Sequence, residues 1–425
     1  MFKRIAEFFF LIGCLLLFSF NDFPLFIGLI PPLDAAVRDA SFPFFILAAF
    51  FSGLTILLDG NKKFIRRREI YFFLIVCFFI SLSMVVNYTF HDEVCNSKFC
   101  SSQKIFSSGL STIIRFLMLI LFIPIIRNID FSVLIIYMKI GFIVCTVHVF
   151  IEVIDRVIPF YFRSNSLGLI DLIQPYFHDR LDYDLYRTRG FSFEPSFLAL
   201  YLITVLPFLI AANSRRLLLL WFLCFISSAS LTAVLGLAVF LFFYNNIKMK
   251  IFILTFLVFL LSLLLFTFES PEIISTITRV GSWVSAINGI LYNPFFGVGP
   301  SMSGFWVSQY YPDFFNISFE SEKWREVAAN EFAAPTFASI LTFIFDFGIP
   351  LFLFITIFLV KNKYWNSLKH SKLALSACLS LLAASFGMNT YAYWGYWIFL
   401  AILLADKWPE IDKLHFINIY PKKYF

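Results

Sequence analysis

Two arginines, a glycine and a glutamate crowd the stretch Arg187-Thr188-Arg189-Gly190-Phe191-Ser192-Phe193-Glu194, directly before Pro195. The planar guanidinium fork binds two phosphate oxygens at once, and each charge-assisted bond contributes about 1.5–3 kcal/mol. Arg187 and Arg189 are therefore candidates to hold a pyrophosphate, with Glu194 beside them as a candidate general base. The plainer reading of the same residues has Glu194 capping a helix that starts at Pro195 while the arginines meet lipid headgroups.

A second constellation joins Arg279, Gly281 and Trp283 to Asn293-Pro294-Phe295-Phe296-Gly297-Val298-Gly299-Pro300. Arg279 adds a further cation. Asn-Pro with two nearby glycines specifies a turn whose backbone can come close to a ligand, which makes Asn293, Gly297 and Gly299 binding candidates. An ordinary loop between amphipathic surface helices explains the same residues more plainly. Arg115 lies in an apolar run, about six residues from its outer end and so roughly 9 Å deep. It either lines a cavity for the same anion or snorkels outward. Lys139 and Asp346 lie deeper and read as paired groups within a helix bundle. Asp182 and Asp184 form an Asp-x-Asp pair, but Asp171, Asp179 and Arg180 around them describe a solvated mixed-charge loop, so no metal is assigned. Cys95 and Cys100, near His91, leave open a disulfide, two free thiols or a metal site.

The elements that must position these groups follow from composition. Hydrophobic residues are 60% of the 425 and charged residues 14%, against about 45–50% and about 25% in soluble domains. Sixty-one Phe residues recur in long blocks, which excludes a disordered chain. The implied solvent is lipid. Spanning roughly 30 Å of hydrocarbon takes about 20 apolar residues, and candidate spans run 5–20, 41–58, 70–86, 109–126, 131–150, 195–212, 217–228, 229–244, 251–268, 337–360, 373–387 and 394–405. The fold class is an all-α polytopic membrane protein of about twelve transmembrane helices, one integral domain over 1–425, with two long outer loops at 151–192 and 269–335.

The net charge of +6 does not cluster on one face, so nucleic acid is excluded as a partner. Lys3 and Arg4, Lys62 to Arg68, Arg215 and Arg216, Lys248 and Lys250, Lys361 to Lys372, and Lys407 to Lys423 mark every second connection as basic. That bias places both termini in the cytoplasm and the two long loops outside. The first apolar run lacks a small-residue cleavage site and reads as an uncleaved signal anchor.

Three patches together resemble the O-antigen polymerase and ligase superfamily of bacterial inner membranes. Arg189 to Ala199 (RGFSFEPSFLA) looks like the family's aromatic Glu-Pro-Ser helix start. Arg279 to Gly299, with an Arg, a Trp four residues on and Asn-Pro-Phe-Phe-Gly-Val-Gly, is similar to its large-loop signature. Asn330 to Pro350, with Asp346 and Gly348 in the next span, is similar to its Asn followed by an acidic residue and Gly. The ligase branch carries a His just before that Asn, where this chain has Ala329, and the second long loop contains no His. The polymerase branch is therefore the closer likeness.

The resemblance implies a GT-C-like fold. It also implies a glycosyltransferase that joins undecaprenyl-pyrophosphate-linked donor and acceptor glycans at the periplasmic face, without cofactor. Arg187, Arg189 and Arg279 would face the leaving pyrophosphate, Glu194 the acceptor hydroxyl, and Asn293, Gly297, Gly299 and Asn330 the substrate; Arg115 joins the substrate-binding candidates from its depth alone. Membrane lipids and a chain-length regulator are further partners it leaves room for. Rival readings are the ligase branch, a lipid-linked-oligosaccharide flippase or secondary transporter, and a scaffold. Transporters show internal repeats, and no convincing repeat relates the halves of this chain.

Overall fold

The computed structural model describes residues 1–18, 40–59, 65–89, 102–162, 188, 195–228, 230–244, 271–310, 338–361, 364, 368, 371–387 and 393–408, and all regular structure among them is helical. Helix α1 spans Phe2–Leu15, α2 Phe42–Asp59, α3 Arg67–Thr89, α4 Ser102–Asn128 and α5 Phe131–Glu152. From α5 the chain passes through a π turn, Val153–Val157, into α6, Ile158–Phe162. Helices α7 (Pro195–Ala211), α8 (Arg215–Ser228), α9 (Leu231–Tyr244), α10 (Pro271–Tyr292) and the short α11 (Ser303–Trp306) follow. The C-terminal part holds α12 (Ser339–Phe347), α13 (Ile349–Lys361), α14 (Lys372–Ala384) and α15 (Trp394–Ala405).

Among the described residues three helices are long and apolar enough to cross a membrane, Arg67–Thr89, Ile105–Asn128 and Phe131–Val157. The α12–α13 pair makes a fourth if its two halves count as one span, and five shorter apolar helices accompany them. These lengths account for three or four spans where the sequence suggests about twelve. The span expected at 251–268 lies outside the described residues. Phe50, Leu57, Tyr71, Phe78, Val85, Val147, Leu219 and Ile226 all point outward and are exposed. Apolar surface on that scale is not stable against water, which is why the helices suit a membrane.

Two expectations change in detail. The run read as one span from 337 to 360 is two helices, bent by 118° at Gly348. Gly348 has φ 86° and ψ 166°, a backbone state open in practice only to glycine, and hydropathy alone carries no trace of it. Helical structure also runs on past residue 151 to Phe162, into the stretch read as the first long loop.

Inside, aromatic rings carry the packing between α1, α2, α4 and α15. Phe10 meets Phe45 and Phe122 at ring-centre distances of 5.9 and 5.2 Å, and Phe45 meets Trp394 at 5.2 Å. Where α1 crosses α5, Gly141 lets the backbones touch, because a Cβ there would overlap the Leu15 carbonyl.

Basic residues gather at one end of this bundle. Lys3 on α1 donates to Asn128 on α4 (3.0 Å), and Arg127 pairs with the buried Glu69 at the start of α3 and reaches the Leu404 carbonyl of α15 (3.5 Å). Arg68 lies over the Tyr364 ring at 4.9 Å. Helices α1, α3, α5 and α8 run away from this basic end, and α4, α7 and α15 run toward it.

Candidate functional site

At the opposite end, two of the sequence patches meet. The turn after α10 lies across the break between α12 and α13. The Val298 amide donates to the Phe345 carbonyl (2.8 Å), Gly299 N–H to Asp346 O (3.0 Å), and Ile349 N–H back to Pro294 O (2.8 Å). The buried Asp346 carboxylate then accepts the amides of Ser301 through Oδ2 and Ser303 through Oδ1, both at 3.0 Å. Helix α3 closes the arrangement: the Ser83 hydroxyl donates to Phe296 O (2.7 Å), and Asn87 Nδ2 reaches the same carbonyl at 3.5 Å.

The glycines of this turn have a specific task. Gly297 (φ 63°) needs the left-handed region, and its missing side chain leaves room for the Phe345 and Asp346 backbone. Gly348 makes the reciprocal allowance for Phe295 and Phe296. In this turn the close approach seen is to the chain's own backbone. Asn293 donates to Gly289 O and to the Tyr310 hydroxyl, both at 3.4 Å, and Tyr310 stacks on Tyr292 (5.2 Å) and Trp306 (5.9 Å).

Arg279 is half-buried on α10, one turn before Trp283, whose ring meets Phe386 edge-on at 5.7 Å just beyond α14. Phe386 lies far along the chain from Ser371, which begins α14 near Leu368 and Tyr364 at the basic end. This stretch of α10 therefore sits at the end opposite the basic one, with Arg279 roughly 20 Å along the helix from Asn293. Between the two arginines of the first patch, Thr188 is a described residue. Its N–H donates to Ser227 O (2.9 Å), and its hydroxyl shares a 2.8 Å hydrogen bond with Ser227 Oγ at the end of α8. Helix α9 starts just after that point and packs on the turn at Ser385–Gly387, which holds Phe386. A continuous path of contacts therefore leads from the backbone between Arg187 and Arg189 to the helix bearing Arg279.

Arg187, Arg189, Glu194 and Asn330 lie outside the described residues, as do Asp182, Asp184, His91, Cys95 and Cys100. Pro195 is the first residue of α7, as its fixed φ and absent N–H favour. Arg115 is half-buried near the middle of α4, because that helix begins at Ser102 and not at Gly109. No group of three or more His, Cys, Asp or Glu among the described residues is arranged to hold a metal ion. Sequence reasoning did not single out Ser83 or Asn87. A serine and an asparagine one turn apart near the end of an apolar helix were the available signal. Comparison of the sequence with family models and with curated proteins returns no significant match.

Proposed function

We propose that this chain is a membrane glycosyltransferase that polymerises undecaprenyl-pyrophosphate-linked oligosaccharide repeat units at the periplasmic face of a bacterial inner membrane. The observation that carries this reading is convergence. The Asn293–Gly299 turn and the Asp346–Gly348 break, both part of the resemblance, are hydrogen-bonded into one feature. Arg279 and Thr188 lie at the same end of the bundle. In the proposed reaction the acceptor hydroxyl attacks the donor's anomeric carbon, and the bond to the lipid pyrophosphate breaks with its electron pair. Arg187, Arg189 and Arg279 oppose the charge that develops on the leaving group, where preorganised cations in a partly dry site act more strongly than water. Asn293 and the Tyr292, Trp306 and Tyr310 rings offer a surface for the glycan, while Gly297 and Gly299 shape the turn that holds them.

The basic end corresponds to the cytoplasm under the positive-inside bias, so the paired patches face outward. One observation favours a second reading: a helix broken by 118° also occurs where transporters bind substrate at mid-membrane. Reconstitution of the purified chain with lipid-linked repeat units separates the two. Glycosyl transfer gives a ladder of oligomers that Arg279→Ala and Arg189→Ala reduce by at least tenfold. Movement of repeat units across the bilayer without any ladder overturns the enzyme reading.

A further inference from the structure

The start of α3 carries the wrong charge for its position. A helix N-terminus is the positive end of the macrodipole and favours acids, yet Arg66, Arg67 and Arg68 gather at the start of this 23-residue helix. Glu69, the acid of that turn, is already engaged. Its Oε2 accepts the Arg66 amide (2.9 Å), and both its oxygens meet the Arg127 guanidinium. Arg66 and Arg67 are exposed and Arg68 is half-buried. The first amides of a helix have no partner within it, and here they belong to the same arginines.

A second observation comes from beside the cluster. Tyr364, three residues beyond α13, is 2% exposed, and the Arg68 guanidinium lies over its ring. Among the described residues neither the Tyr364 hydroxyl nor Arg68 Nε has a hydrogen-bond partner. Burial pushes the phenol up from its ordinary range, so at neutral pH the hydroxyl keeps its proton and is free to donate it in a hydrogen bond. Buried donors left unmatched are costly, and native structures keep few of them. An oxyanion supplies the missing acceptor and the missing negative charge together.

The source of that oxyanion follows from what lies below it on α3. Arg67 heads a stripe of exposed apolar side chains, Tyr71, Leu74 and Phe78, at spacings of four, three and four residues. A charged head above an apolar track is the outline of a phospholipid. We infer that Arg67, Arg68, Tyr364 and the first amides of α3 form a site for the phosphate of an anionic phospholipid whose acyl chain lies along Tyr71, Leu74 and Phe78. In the bound state Arg68 turns from the Tyr364 ring to the phosphate, which also accepts the tyrosine hydroxyl. A zwitterionic headgroup fits less well, because Glu69 is taken and leaves no acid of that turn for an ammonium. Basic clusters at a membrane boundary attract anionic lipid in any case; the orphaned tyrosine makes this one a specific seat.

The test titrates the full chain, in a neutral detergent, with phosphatidylglycerol, phosphatidylcholine or inorganic phosphate. Native mass spectrometry counts bound lipid, and the melting midpoint reports its effect. Phosphatidylglycerol should bind saturably and raise the midpoint, with the other two far behind. Loss of a charge-assisted bond in Arg68→Gln should weaken phosphatidylglycerol binding by roughly tenfold or more, and loss of a neutral one in Tyr364→Phe by roughly two- to tenfold. Arg216→Gln, which removes an exposed charge at the same end of the bundle, should leave the affinity within about twofold, as screened surface charges do. If Arg68→Gln does not fold, Arg67→Gln takes its place beside Tyr364→Phe. Equal binding of phosphatidylcholine, the full midpoint shift from inorganic phosphate alone, wild-type affinity in Tyr364→Phe and the arginine variant, or an equal loss in Arg216→Gln would each overturn the site.

Discussion

Asp346 offers the sharpest test of how the two sequence patches are held. Its two carboxylate oxygens each accept one backbone amide, from Ser301 and Ser303, at 3.0 Å, and the side chain is buried. Asparagine in its place has a single acceptor oxygen. One amide then loses its bond and faces an NH2 group, at about 1–3 kcal/mol for an unsatisfied buried donor, and the surviving bond loses its charge, at about 1 kcal/mol more. The expected destabilisation of the turn is roughly 2–4 kcal/mol, which accelerates amide exchange through local opening by roughly 30- to 900-fold. Hydrogen–deuterium exchange on peptides covering 295–306, in detergent or nanodiscs, reads this directly. Asp346→Ala, which strands both amides, should exchange faster still. Protection of 295–306 at the wild-type level in both variants would refute the idea that this carboxylate holds the turn.

Alanine at Gly297 or Gly348 should lower the melting midpoint more than alanine at Gly53, where a Cβ meets nothing, since it adds a Cβ against backbone atoms and a positive φ strained by about 1–3 kcal/mol. At the basic end, Glu69→Ala leaves Arg127 without its carboxylate and should destabilise by about 3–5 kcal/mol in denaturant titration. Ser132 donates its hydroxyl and its amide to Asp130, and Lys407 is nearby, so the Asp130 carboxyl is held below its ordinary range. A depressed folded pKa contributes stability above the unfolded value that is lost as pH falls through the folded one. Asp130→Asn should therefore flatten the acid side of the melting-temperature profile, and an unchanged acid side would count against the cap.

Much of the helical frame could be read from local signals. Pro195 opened α7 because proline suits a first helical position, and the spans read at 217–228 and 229–244 correspond to the separate helices α8 and α9. What stayed hidden depends on partners distant in sequence. Hydropathy adds the two halves of 337–360 into one span. The break is set by the φ of Gly348 and by amides at 301 and 303, which reach Asp346 from more than forty positions away. Glu152, Asp155 and Arg156 ended a hydrophobic run and so looked like the start of a loop. The chain keeps them helical by turning them inward. The Asn293–Gly299 turn was legible as a turn, but not that it packs on the break between two other helices.

Among the described residues, buried charge occurs in three places. Glu69 with Arg127 ties three helices at the basic end, and Asp346 ties a turn to a helix break; in both, the geometry of the bonds accounts for the residue. His148 and Glu152 of α5, with Asp155 and Arg156 of the π turn that follows, are the third place. A charge kept for packing can be exchanged for apolar volume, since buried pairs replaced by well-packed hydrophobes are often neutral or more stable by about 1–4 kcal/mol. Replacing both Glu69 and Arg127 by Met should thus recover most of the stability lost in Glu69→Ala and leave oligomer synthesis intact. Glu152→Met removes one buried charge from its group and should, like Glu69→Ala, lower the melting midpoint. A Glu69 and Arg127 double-Met variant that melts no higher than Glu69→Ala would overturn the packing account of that pair.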